Sequence, residues 1–169
     1  MTATAPMTIP TAAAPMPAPA TPIIPERRKL LPAVFACVLL GLDEDRVAEV
    51  MEDGELWPAF NLSVRPDGRR LLFCWRDGLL RLHAGLPRTT ASLDEVLAAI
   101  LPVLGNTLAD KATIGGTELA WRWSCGRDRI WDLIRNGELR EVGHRPHCRA
   151  TPRLAYCSVV EFLKRRVVA

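Results

Sequence analysis

Arg127, Trp131 and Arg135 recur every four residues. A helix through them presents all three on one face, opposite Ile130, Leu133 and Ile134. A guanidinium offers five donors in a planar fork, which fits the O6 and N7 acceptors of guanine or two oxygens of a phosphate. On that face Trp131 can pack against a sugar or a thymine methyl; the competing reading buries it against a neighbouring hairpin. Arg129 lies on the same segment, and Arg145, Arg149 and Arg153 follow in a turn-rich stretch. Arginines on such a stretch can reach phosphates or a minor groove beside a docked helix. The expected nucleic-acid contacts are therefore Arg127, Arg129, Trp131, Arg135, Arg145, Arg149 and Arg153.

Other chemistries fit poorly. His144, His147, Cys148 and Cys157 carry zinc-type donor atoms, but their spacing is not that of known ligand pairs, and Cys157 reads as a small core residue. There is no glycine-rich phosphate loop and no HExxH, and His83, His144 and His147 have no evident nucleophile to serve. The sequence predicts no metal, no cofactor and no enzymatic activity.

The elements that would position these residues are written twice. Asp45 to Leu56 lines up with Asp128 to Leu139, from 45 to 128 an offset of 83, and the same gapless offset aligns Arg70–Cys74 with Arg153–Cys157 and Leu80 with Leu163. One register kept across two separated blocks marks an internal duplication, about 33–83 and 116–166. In the second copy Thr117 is expected to cap a short helix over 118–123. A second helix runs to Asn136, where Gly137 supplies the left-handed position that ends it. A hairpin is expected next, Leu139–Val142 out and Arg153–Cys157 back, and then a final helix opened by a Ser158–Glu161 capping box. Between the copies, Ser92 and Glu95 form another capping box on a helix whose Leu93, Val96, Leu97, Ile100 and Leu101 are apolar. That stripe is buried either between the two copies or in a homodimer contact.

The second copy resembles the excisionase family of MerR-like winged helix-turn-helix DNA-binding domains. The resemblance rests on Glu118-Leu119-Ala120, the helix ending in Gly137-Glu138-Leu139, a wing, and the Ser158-to-Leu163 helix entry, in that order. It covers about 50 residues, and the first copy adds a weaker match. Asp128 stands where the family usually has a basic residue, and the wing carries Pro146-His147-Cys148-Arg149 in place of a compact basic run. The resemblance implies two tandem winged helix-turn-helix units, a mainly α fold with small β wings (α+β). Their boundaries are a tail at 1–28, an acidic diverged unit at 29–84, a helical linker at 85–113 and a DNA-binding unit at 114–169.

Charge separates the copies. Residues 116–166 carry 11 basic and 6 acidic side chains, whereas residues 33–83 carry 6 and 9. The modest overall +3 thus hides a polarised molecule, whose C-terminal copy attracts a phosphate backbone and whose N-terminal copy repels it. In the first copy Glu44, Ala48 and Glu52 occupy the matching helix face, with Asp45 and Glu49 beside it. That surface suits a protein partner or a second subunit, and on charge alone residues 112–169 are expected to bind DNA without it. Arg65, Arg69 and Arg70 of the first wing could still hold a DNA backbone, or belong to an ordinary solvated hairpin.

The uncharged, proline-rich residues 1–25 read as a disordered, partly polyproline tail, with a proline-rich docking peptide as the alternative. The longest apolar run, Leu30 to Leu42, is too short for a membrane span and contains Pro32. No basic segment and apolar core of a secretory signal are evident. Five cysteines without a CxxC pair fit a reducing cytoplasm. The expected protein is a cytoplasmic, bacterial-type transcriptional regulator that binds double-stranded DNA. The alternatives are an excisionase-like recombination directionality factor that bends DNA for an integrase, and an interaction module that no longer touches DNA.

Overall fold

The computed structural model describes residues 23–64, 70–102, 104, 108, 111–143 and 151–168. Expectations that fall on Arg65, Arg69, His144, Arg145, His147, Cys148 and Arg149 lie outside the described residues. The chain forms a mixed α+β structure. β1 (Leu30–Pro32) leads into α1 (Ala33–Leu40), and Gly41 turns the chain at φ +68° into α2 (Glu44–Glu52). Asp43 caps α2 by accepting the Arg46 N–H at 2.8 Å. β2 (Ala59–Asn61), β3 (Leu72–Trp75) and α3 (Arg76–His83) complete the first copy, its three strands antiparallel in the order β1-β3-β2. After α4 (Leu93–Ile100), the order recurs as β4 (Thr113–Gly115), α5 (Gly116–Arg122), α6 (Arg127–Arg135), β5 (Arg153–Ala155) and α7 (Tyr156–Arg165). A single bridge between Glu141 and Leu154 takes the place of β2 among the described residues.

The 83-residue register carries the starts of β1, α1 and α2 onto those of β4, α5 and α6. Gly54 and Gly137 end the matched helices at φ +74° and +73°, a conformation that a Cβ disfavours. Then the register slips. Leu30 pairs with Trp75, whereas Thr113 pairs with Ala155, so the returning strands correspond from 75 to 155, an offset of 80. The gapless alignment of Arg70–Cys74 with Arg153–Cys157 is therefore not a structural equivalence. Cys74 is matched by Leu154 and is fully buried, while Cys157 sits half-buried on α7 outside the core assigned to it from sequence.

Three caps were expected and one forms as expected. Ser92 and Glu95 make both bonds of a capping box. Gly115 rather than Thr117 precedes α5, because β4 passes straight into the helix. Likewise Ala155 precedes α7, and Ser158 lies one turn further in. There its hydroxyl donates to the Ala155 carbonyl at 2.9 Å and accepts the Arg140 N–H at 3.1 Å, which ties the wing to the helix.

Alternation along the first sheet builds two cores. Leu31, Ala59, Leu72 and Cys74 face Ala36, Leu39, Val47, Met51 and Leu79 from the helices of their own copy. Ile24, from the segment read as tail, joins that core at 8% exposure, since an aliphatic side chain there gains by burial. On the opposite face, Leu30, Phe60, Phe73 and Trp75 pack with Leu119, Trp123, Ile130, Leu133 and Phe162 of the second copy and with Val96, Leu97 and Ile100 of α4. One core thus spans both copies, and the α4 stripe fills the space between them. The chain also closes the β2 edge with the second copy's far end. Asn61 donates to the Arg166 carbonyl at 2.8 Å, Val168 donates to Ala59 at 2.9 Å, and Phe60 bridges Val167. Among the described residues, no helix is long and apolar enough to cross a membrane.

Candidate nucleic-acid interface

Ile130 and Leu133, 1% and 0% exposed, anchor α6 in the shared core and so fix which of its faces turns outward. Arg127, Asp128 and Arg135 are exposed on that outward side, and Trp131 is half-buried beside them. With Gly116, Thr117, Ile130, Thr151 and Pro152, the side chains of Arg127, Asp128 and Trp131 line a cavity of about 230 Å³ between α6, the start of α5 and the wing. Residues 151–153, where the return of the wing expected from sequence begins, are held to α5 by the Gly116 N–H donating to the Pro152 carbonyl at 2.8 Å and by a hydroxyl contact of 3.3 Å between Thr117 and Thr151.

Gly116 is needed for that approach. A Cβ placed on it would lie 2.8 Å from Cγ and 3.3 Å from Cδ of Pro152, and a proline ring cannot swing aside. Gly116→Ala is expected to push the wing away from α6 and to cost about 1–3 kcal/mol, as overpacking does. Urea denaturation of the variant measures this, and an unchanged midpoint would show that the wing tolerates displacement.

The seven expected contact residues divide. Arg127 is exposed and forms no ion pair with a described residue, and the same holds for Arg153 on β5. Arg135 pairs with Asp132 at 3.0 Å, with 70% and 44% of the side chains exposed. A pair so wet holds its partners weakly, by about 0.2–1 kcal/mol, and can be exchanged for a phosphate. Trp131 has one side against the wing cavity, between the two roles that its sequence context left open. Arg129 differs: it is partly buried and donates to the Leu62 carbonyl at 2.8 Å, clamping α6 to the first copy's sheet. Burial pushes the neighbouring Cys125 thiol up to about 11, with the Arg129 charge pulling in the opposite direction. Arg145 and Arg149 lie outside the described residues.

The remaining cations of the second copy are largely occupied. Arg122 pairs with Glu118 at 2.6 Å and Lys164 with Asp94 at 2.7 Å, while Arg166 and Arg165 share Glu138 at 2.7 and 3.3 Å. Arg140 points a nitrogen at the Cys157 sulfur, 3.4 Å away. Among the described residues of the second copy, Arg127 at the start of α6, Arg140 and Arg153 on β5 are exposed cations without a carboxylate partner.

On the matching face of the first copy, Glu44 and Glu52 are exposed, and Arg70 is engaged by Glu52. That wing arginine already has an anion within the molecule. Arg46 is paired with Glu49 in the same way. Asp43 supplies an anionic cap at the start of α2, where the corresponding Gly126 gives α6 no side-chain acceptor. Val34 and Val38 on α1 are 53% and 69% exposed, at positions that correspond to Thr117 and Trp121. The face that is cationic and polar in one copy is acidic and aliphatic in the other.

Arg28 was not among the expected contacts, yet it lines a second cavity of about 450 Å³ together with Thr117, Trp121 and Arg127. The signal available was the run Arg27-Arg28-Lys29, which follows a long uncharged stretch and the lone Glu26. Comparison of the chain with protein-family models, with curated proteins and with solved structures gives no match.

Proposed function

We propose that the chain binds double-stranded DNA in a sequence-specific way and acts as a transcriptional regulator, using residues 114–169 as a winged helix-turn-helix unit. The observation that supports this most directly is Arg127 beside Thr151, Pro152 and Arg153, with Trp131 next to it, neither arginine having an ion pair among the described residues. In such a unit α6 enters the major groove, Arg127 and Arg135 meet base edges or phosphates, and Arg153 follows the backbone. Arg129 serves differently, as the clamp that holds α6 at its angle to the first copy. The first copy has the same order of elements, but its Glu44 and Glu52 would meet phosphate with like charge. Its exposed valines and carboxylates suit a basic protein partner or a second subunit instead.

Gel-shift titrations test this reading. Arg127→Ala and Arg135→Ala are each expected to weaken binding by about 1–3 kcal/mol, the worth of a base-reading arginine. Glu44→Ala and Glu52→Ala are expected to leave it unchanged. Equal losses from both copies would overturn the division of roles. Genome-wide occupancy then separates regulation from recombination: many promoters indicate a regulator, and a single attachment site beside an integrase indicates a directionality factor.

A further inference from the structure

The segment before β1, read from sequence as tail up to residue 28, precedes the first copy, yet it lies across the second. Lys29 donates its N–H to the Arg122 carbonyl at 2.7 Å, at the end of α5, and accepts the Arg76 N–H of the first copy at 2.9 Å. One residue later, the Leu30 carbonyl accepts the Ser124 hydroxyl at 2.7 Å. Arg27 lies over the Trp121 ring, 4.9 Å from its centroid, and that tryptophan remains 49% exposed. Arg28 then enters the cavity that Thr117 and Arg127 also line. Because Thr117 and Arg127 border the wing-side cavity too, the two cavities adjoin along the start of α6. Neither Arg27, Arg28 nor Arg127 pairs with a carboxylate among the described residues. The backbone bonds to both copies fix this short arm in place, so its cations are held beside Arg127 before any ligand arrives.

We propose that Arg27 and Arg28 form a backbone clamp on the flank of α6, gripping DNA phosphates next to those that Arg127 meets. This rests on the DNA-binding reading above and extends it to a segment outside the winged unit. The ligand group is the phosphodiester, and no base is read. A clamp of this kind adds affinity equally for every sequence and leaves site preference to α6. Each phosphate contact releases about 0.9 counterion, so losing one lowers affinity about fivefold at 0.15 M salt and reduces the salt slope by about 1.

The experiment uses the full chain and sheared double-stranded DNA of mixed sequence, titrated at several salt concentrations. Arg27→Ala with Arg28→Ala is expected to bind roughly 25-fold more weakly, with a salt slope lower by about 2. Arg28→Ala alone, which spares the contact with Trp121, should lower the slope by about 1 at an unchanged thermal midpoint. The double lysine variant, Arg27→Lys with Arg28→Lys, should restore the slope. Binding by the unmodified chain together with an unaltered slope in Arg28→Ala and in the double alanine variant would overturn the clamp alone. Failure of the unmodified chain to bind would overturn the DNA-binding reading and the clamp with it.

Discussion

Residues 112–169, produced without the rest of the chain, are expected to show no cooperative unfolding transition, contrary to what their charge alone suggests. Charge favours DNA binding, but the fragment must fold first. In the intact chain, the second copy's Leu119, Trp123, Ile130, Leu133 and Phe162 pack against Leu30, Phe60, Phe73 and Trp75 of the first copy and Val96, Leu97 and Ile100 of α4. Burying one such side chain contributes about 1.5–3 kcal/mol. Removing even the five largest partners withdraws on the order of 10 kcal/mol, as much as the whole stability of a typical domain. The Arg129 bond to Leu62 and the edge pairing of Asn61 with Arg166 are lost as well. Circular dichroism melts of the fragment, with a dye that reports exposed apolar surface, measure this. A sigmoidal melt and full-strength DNA binding would mean that the shared core is dispensable to the second copy.

Trp123→Ala should be the most damaging single substitution in that core. Trp123 is fully buried, stacks on Phe162 at 5.8 Å between ring centroids, and lies among residues of both copies. Truncating such an aromatic costs about 3–5 kcal/mol, and the loss should appear in one transition of the entire molecule. Its indole N–H has no partner among the described residues, so Trp123→Phe keeps the stacked ring and removes a buried donor without an acceptor there. The phenylalanine variant is expected to lose less than half as much as the alanine variant. Urea denaturation of the two variants checks both values, and two separated transitions in Trp123→Ala would show that the copies unfold independently.

The helices around the candidate site were legible because their signals are local. The apolar stripe of α6, the left-handed glycine that ends it and the Ser92–Glu95 box each depend on residues within one or two turns. The shared core depends on the opposite face of a three-stranded sheet, which no short window displays. A trace of it was present. Leu72-Phe73-Cys74-Trp75 is apolar without alternation, as a strand covered on both sides must be, and all four residues are buried. The slipped register could not be seen from the aligned letters, because the pattern Arg-Leu-X-aromatic-Cys recurs three residues away from the positions that the strand pairing makes equivalent. The position of Arg129 was accessible from helix geometry. Two residues beyond Arg127 it is turned by about 200°, away from the outward face and toward the first copy's sheet.

The closure of β2 by residues 166–168 bears on how the protein is made. Phe60 leaves the ribosome long before Val167, its bridging partner, has been translated. During that interval the nascent first copy carries an open strand edge, and the sheet face with Phe60 and Phe73 waits for α5, α6 and α7. Open edges recruit foreign strands. The apolar face and the open edge therefore stay uncovered until residues 166–168 have been translated and pair with Ala59, Phe60 and Asn61.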